Sequence, residues 1–220
     1  MSRPVGIVDY GLGNLFSIRQ ACAAAGLDAI VTSEADVLRR SSCIVLPGVG
    51  AFGNAMAALS NLNLIESLRR ASSEGIPLVG ICLGMQLLME RSTEFGSFEG
   101  LALVPGSVER LRPARPEVKV PQVGWNGIYR AGDGTRCVDP WAASALRGTT
   151  DAEPMYFVHS YVVKPTSPRV VLARSTYGGE EFCSALTVGN VTGFQFHPER
   201  SGPAGLRVYR NLATMLTESR

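Results

Sequence analysis

Two glycines bracket Cys82 in the run Gly80-Ile81-Cys82-Leu83-Gly84, where an apolar stretch from Pro77 to Ile81 gives way to a helical pattern. A strand-to-helix turn this sharp brings backbone against backbone and strains the central residue, so side chains two positions to either side would obstruct it. A thiol at that turn stands at the carboxyl end of a strand, where open α/β sheets bind ligands. It also lies at the first turn of a helix, whose unpaired N–H groups favour negative charge. These features suit a cysteine nucleophile. Taken alone, the same five residues also describe a small buried cysteine in a tight turn.

A cysteine nucleophile needs a base, and the chain has two histidines, His159 and His197. His197 follows the run Thr192 to Phe196; Pro198 ends that run, and Glu199 lies two positions beyond the imidazole. In an extended chain residues two apart point to the same side, so Glu199 can orient His197 as the third member of a triad. His159 has no carboxylate near it in sequence, which makes His197 the better candidate. A tetrahedral intermediate also needs backbone donors for its oxyanion. One is the amide of Leu83, directly after the nucleophile, and the turn Pro47-Gly48-Val49-Gly50 supplies the second. Cys22, Cys43, Cys137 and Cys183 occupy no such turn, and packing accounts for them.

Strand–helix alternation in the first half must position these groups. Val5 to Val8, Asp28 to Val31, Cys43 to Leu46 and Pro77 to Ile81 read as buried strands. Asn14 caps a helix whose apolar positions Leu15, Ile18, Cys22 and Ala25 recur at helical spacing, and a second helical stretch, Ala51 to Ser73, breaks around Asn61 to Asn63. Such alternation means parallel strands with helices on both faces. From Leu101 to Gly193 the pattern changes to short strands between Pro- and Gly-rich turns, which suggests antiparallel pairing. Asp139-Pro140 signals a helix over Trp141 to Leu146. Val191 to Phe196 is a last strand and Leu206 to Leu216 a closing helix. The expected fold is one α/β domain over residues 1–220, with a largely parallel central sheet, flanking helices and an antiparallel extension.

The 220 residues, 45% of them hydrophobic, are enough for one domain with a sizeable core. A net charge of +2, with no basic run longer than two residues, gives no electrostatic footprint for nucleic acid. No 18-residue apolar stretch offers a membrane span, and the N-terminal residues lack a signal-peptide layout. Five widely spaced cysteines without a CxxC pair argue against a disulfide framework and against a zinc site. The expectation is a cytoplasmic enzyme or binding protein.

The segments Gly80 to Gln86, Pro47 to Gly50 and Phe196 to Glu199 together resemble the class I (triad) glutamine amidotransferases, in that family's order and at its spacing. Val8 to Leu15, Lys119 to Asn126, Tyr156 to Tyr161 and Gln195 to Gly202 are further similar to the amidotransferase subunits of imidazole glycerol phosphate synthases. The resemblance runs from Val5 to Leu216. It implies Cys82 as nucleophile, His197 as general base and acid, and Glu199 as its orienter. It implies an oxyanion hole from the backbone of Val49, Gly50 and Leu83. Gln86 and Glu94 match positions that hold polar groups of L-glutamine, while Ser160 and Tyr161 match a segment at its amino-acid end. Gly13, Asn14 and Arg200 match positions facing a cyclase subunit, the implied heterodimer partner.

The implied reaction is thiolate attack on the glutamine side-chain amide, loss of ammonia, and hydrolysis of the glutamyl thioester, with no cofactor or metal. A hydrolytic domain fills the 220 residues, so the ammonia acceptor is expected on another chain, in histidine synthesis. Gln122 and Arg200 depart from the family's commoner histidine and lysine, which bears on the partner-facing surface and leaves the triad untouched. Rival readings are an amidotransferase subunit of another pathway, a catalytically silent binding subunit, and a cysteine peptidase on the same fold. The Val8 to Leu15 and Lys119 to Asn126 segments oppose the first, the intact triad the second, and the Gly84-Met85-Gln86 signature the third.

Overall fold

The computed structural model describes residues 3–132 and 139–218, so Cys137 lies outside the described residues. Four short strands open the chain: β1 (Val5–Val8), β2 (Ala29–Thr32), β3 (Cys43–Leu46) and β4 (Leu78–Ile81). The helices are α1 (Leu15–Ala24), α2 (Ala35–Arg39), α3 (Phe52–Asn61), α4 (Leu64–Ser73), α5 (Leu83–Leu87) and α6 (Gly202–Glu218). Because successive strand residues face opposite ways, Ile7, Val45, Val79 and Ile81 pack with Ile18 and Cys22 of α1 and Val208 and Leu212 of α6. Val8, Ile44, Leu46 and Leu78 point the other way, onto Phe52 and Leu59 of α3 and Leu64 and Leu68 of α4. Strands buried on both faces need apolar side chains at every position, which is why these runs do not alternate with polar residues.

Asn14 caps α1 by accepting the Ser17 N–H at 3.2 Å. The expected break in the second helical stretch falls between α3 and α4, where Asn63 takes a left-handed conformation with φ 54°. Asparagine is one of the few residues besides glycine that visits this region routinely.

The second half adds β5 (Met89–Ser92), β6 (Phe98–Glu99), β7 (Val104–Arg110), β8 (Gln122–Arg130), β9 (Glu153–His159), β10 (Tyr161–Pro165), β11 (Val171–Tyr177), β12 (Glu180–Val188) and β13 (Val191–Phe194). A nine-stranded sheet has the order β2-β1-β3-β4-β13-β12-β11-β8-β9, and a smaller sheet the order β10-β7-β5-β6. Pairing is parallel from β2 to β13 and antiparallel from β13 to β9. The chain leaves the large sheet at His159 and enters the small one at Tyr161, with Ser160 between them.

The structure corrects the sequence expectations at several points. The second-half strands are not uniformly short: β8 and β12 each have nine residues. Gly106 and Gly124 sit inside strands at φ +132° and +130°. No helix forms over Trp141 to Leu146. Asp139 Oδ1 does accept the Trp141 N–H at 2.9 Å, but the segment continues as successive three-residue turns, Ala142 to Asp139 and Ser144 to Trp141. The Ser144 hydroxyl takes the Trp141 carbonyl and offers its oxygen to the Leu146 N–H, competing with helical bonds. Finally, the last strand stops at Phe194 rather than Phe196, and α6 starts four residues before Leu206.

Candidate active site

β3, β4 and β13 are adjacent parallel strands, so their carboxyl ends share one edge of the sheet. β3 runs into Pro47-Gly48-Val49-Gly50, β4 into Cys82, and β13 through Gln195 and Phe196 into His197. Topology alone therefore gathers the three segments, at the sheet end where α/β folds bind ligands.

Cys82 has φ 54° and ψ −110°, a conformation β-carbon-bearing residues rarely adopt, directly before α5. Its N–H is held by the Phe194 carbonyl of β13 at 2.7 Å. The flanking glycines are required by space. A β-carbon on Gly84 would collide with the Leu46 carbonyl, and one on Gly80 would come within 2.7 Å of the Gly84 carbonyl oxygen. The Leu83 N–H that follows is a first-turn amide of the kind a helix leaves without an intrahelical partner.

His197 is buried, and its Nδ1 meets Glu199 Oε1 at 2.7 Å. The contact spans a 3₁₀ turn, Pro198–Arg200, rather than the extended segment the sequence suggested. A carboxylate accepts, so Nδ1 carries the hydrogen and Nε2 is the nitrogen left for the thiol. Burial alone would lower the pKa of His197. Hydrogen bonding and charge from Cys82 and Glu199 outweigh it and lift the value to about 10. Nε2 nonetheless makes no bond at strict geometry, and the thiol is directed instead at the Val158 carbonyl, 3.7 Å away. Cys82 is thus close enough to His197 to raise its pKa, with alignment left to rotation of the thiol. Catalytic hydrogen bonds are commonly loose before substrate binds.

His159 stands differently. Its Nδ1 donates to the Tyr161 carbonyl at 3.1 Å, and its ring packs against Phe182 and Phe157. Burial, opposed by the Tyr161 bond and helped by the nearby His197, lowers its pKa to about 4, so it is neutral near pH 7. Gln122 is its register partner across β8 and β9, and both Gln122 Oε1 and His159 Nε2 are buried without a bonded partner.

A cavity of about 250 Å³ opens in front of Cys82. Val49, Gly50, Leu83, Gln86, Glu94, Ser160 and Tyr161, every residue expected in the oxyanion hole or substrate site, line it together with Pro121, Val158 and His159. That size is below the roughly 300–1,000 Å³ of sites for drug-sized ligands and suits a single amino acid. His197 and Glu199 stand behind the nucleophile, off the cavity wall. Glu94 Oε2 accepts the Phe52 N–H at 2.6 Å, tying the cavity rim to the start of α3. Burial raises the Glu94 pKa, opposed by that bond. A larger cavity of about 860 Å³ lies at the amino ends of the strands, around Cys43, Pro77 and Asn190, and contains none of the expected residues.

Of the residues expected to face a partner, Asn14 caps α1, and α1 packs against the Pro198–Arg200 turn. Gly13, at φ +135°, leaves room for Pro47: a β-carbon there would lie 3.2 Å from the proline ring. The Arg200 guanidinium lies 4.6 Å over the Tyr156 ring, which meets Trp125 edge-on at 6.0 Å. Trp125 is 59% exposed and Phe16, in the first turn of α1, 72%.

Sequence reasoning gave Gln195 no role. It is fully buried, takes the Gln86 amide nitrogen at 3.1 Å on its Oε1, and directs its own nitrogen at Cys82 Sγ. The available signal was a polar residue between Phe194 and Phe196 at the end of an apolar strand, where a buried amide must find partners.

Comparison with known proteins bears on the same residues. The family model Glutamine amidotransferase class-I matches residues 6–215. The chain is 43% identical over 212 residues to a protein of Methanothermobacter thermautotrophicus named Imidazole glycerol phosphate synthase subunit HisH, covering 96% of this chain and 98% of the other. It is 40% identical over 207 residues to the protein of the same name from Chlorobaculum tepidum, covering 94% and 98%. Among solved structures, one described as "Structure of PurLQS from Thermotoga maritima" superposes with a TM-score of 0.73 at 17% identity over 100% of both chains. Another, "Crystal structure of glutamine amidotransferase", gives 0.71 at 18% identity over 97% and 98%. At such identities these structures speak to the fold alone.

Proposed function

The chain belongs to the class I glutamine amidotransferases, and we propose that it is the glutaminase subunit of an imidazole glycerol phosphate synthase, releasing ammonia from L-glutamine for a cyclase subunit. The observation that carries the chemistry is the convergence of Cys82, the His197–Glu199 pair and the small cavity at the ends of three adjacent strands.

The glutamine side chain enters the cavity with its amide carbon against Cys82. With the proton already held on His197 Nε2, sulfur turns from the Val158 carbonyl and attacks that carbon as the thiolate. The Leu83 amide and the Val49–Gly50 backbone face the developing oxyanion, and Glu199 holds the imidazolium in place. Collapse of the intermediate breaks the C–N bond, His197 returns the proton to the leaving nitrogen, and ammonia departs. His197 then takes a proton from water, the hydroxide attacks the glutamyl thioester, and the C–S bond breaks to give glutamate and the free cysteine. The sum is glutamine plus water to glutamate plus ammonia. Every step uses groups of this chain and water, so the proposal invokes no cofactor.

The chain exposes Phe16, two residues after Asn14, and Trp125, which reaches Arg200 through Tyr156, large apolar side chains of the kind that mark a protein contact. On this reading they receive the cyclase, in the cytoplasm. No described helix is long and apolar enough to cross a membrane.

The test is Cys82→Ala in the complex with a cyclase. Glutamine-dependent synthesis should disappear while synthesis from added ammonia persists, and a glutamine-like electrophile should label Cys82 in the wild type and no other cysteine. Glutamine hydrolysis by the alanine variant would end the assignment.

A further inference from the structure

The sulfur of Cys82 has a donor that the triad does not use. Gln195 Nε2 lies 3.8 Å from Cys82 Sγ, and a chain of bonds fixes which way that amide faces. Gln86 Nε2 lies 3.0 Å from the Tyr161 carbonyl, which can only accept, so the nitrogen of Gln86 must be there. The second hydrogen of that nitrogen goes to Gln195 Oε1 at 3.1 Å. With its oxygen engaged, Gln195 has only its nitrogen to offer Cys82. Turning either amide over would set oxygen against oxygen or nitrogen against nitrogen.

We propose that Gln195 is a positioning residue for the nucleophile: its N–H holds the sulfur and supports charge on it, and Gln86 holds Gln195 in place. The proposal rests on Cys82 being the nucleophile. When the sulfur carries its proton, S–H is directed at the Val158 carbonyl. Once the proton passes to His197, that carbonyl opposes a charged sulfur, whereas the Gln195 N–H becomes a charge-assisted donor of roughly twice the strength. The two neighbours together therefore favour the sulfur turned toward Gln195. In the thioester the sulfur is uncharged and the bond weakens. It strengthens again as water attacks and sulfur leaves, so Gln195 assists C–S cleavage as well as attack. Tyr161 and Gln86 both line the cavity, so a ligand that moves either one acts on the sulfur through two amides.

Gln195→Leu removes both bonds at similar volume, and Gln195→Glu keeps the acceptor for Gln86 while deleting the donor to sulfur. In the full chain, iodoacetamide alkylation of Cys82, read by peptide mass mapping, should slow about 10- to 100-fold in both variants, the effect of losing a hydrogen bond to a charged group. kcat for glutamine should fall in parallel, KM should hold, and the melting temperature of Gln195→Leu should be retained, a pattern that a packing defect does not produce. Wild-type alkylation in a folded Gln195→Leu chain would overturn the proposal, as would a loss of reactivity that merely follows loss of melting temperature. An active Cys82→Ala variant would remove the nucleophile itself. An inactive Cys82→Ala variant beside a fully reactive Gln195→Leu variant would remove only the role of Gln195.

Discussion

Nδ1 of His197 and Oε1 of Glu199 lie 2.7 Å apart across the single turn that begins at Pro198, and this contact decides which ring nitrogen faces the nucleophile. The Glu199 side chain is 1% exposed, so water does not compete for the bond. The imidazole cannot rotate without leaving a buried carboxylate unpaired, a costly state.

The two histidines should therefore separate cleanly. His197→Ala is expected to lower glutaminase turnover by at least about 10³-fold, because base and nucleophile act as one unit. His159→Ala removes a neutral ring whose Nδ1 is committed to Tyr161, and should cost less, acting on the cavity wall. Steady-state turnover of the two variants is the measurement, and a larger loss at His159 would dismantle the triad.

The same groups give opposite signs in pH-dependent stability. His197 titrates at about 10 in the fold, above the ordinary 6.5. Its stabilising contribution is full below about pH 6.5 and is lost as pH rises toward 10. His159 titrates at about 4, so stability is lost as pH falls from 6.5 toward that value. Glu199→Gln removes one of the causes that raise His197. Its urea-unfolding free energy should fall less steeply between pH 7 and 10 than that of the wild type. Parallel curves for the two proteins would show that the Glu199 bond does not favour the imidazolium.

Much of this site was legible because short-range rules govern it. The glycines around Cys82 announce a backbone crossing that Leu46 and Gly84 do impose, and apolar runs without alternation announce strands covered on both faces. Less legible was whatever depends on distant partners. Trp141 looks helical until its indole N–H finds the Leu172 carbonyl at 2.7 Å. The second sheet was missed for the same reason: Met89–Ser92 gains strand character from pairing with Val104–Arg110. Gln195 was passed over because its neighbours Gln86 and Cys82 are more than a hundred residues away.

Glutaminase turnover should also depend on the partner, because ammonia made without an acceptor is wasted and the oxyanion turn is built to be biased. The two glycines flanking Val49 are unequal. Gly48 is wedged beneath Tyr10 and Leu83 and has no room to move, whereas Gly50, at φ +107°, has open space around its α-carbon. The Tyr10 hydroxyl holds the Pro47 carbonyl at 2.6 Å on one side, and Glu94 holds the Phe52 N–H on the other. Reorientation is therefore confined to the peptide between Val49 and Gly50, which can turn an N–H toward the oxyanion site or away from it. A cyclase docked at Gly13 and Asn14, as proposed, would reach this turn through Pro47, which Gly13 abuts. It can raise activity only by favouring the competent orientation over the other. One oxyanion donor is worth about 10²–10³ in rate, which sets the expected stimulation by cyclase with its nucleotide substrate bound. Gly50→Ala penalises the positive φ and should shrink the ratio of stimulated to basal turnover. Turnover is to be compared for the chain alone, with cyclase, and with cyclase plus its substrate. Equal rates in all three would refute partner control, and a wild-type ratio in Gly50→Ala would place that control outside the turn.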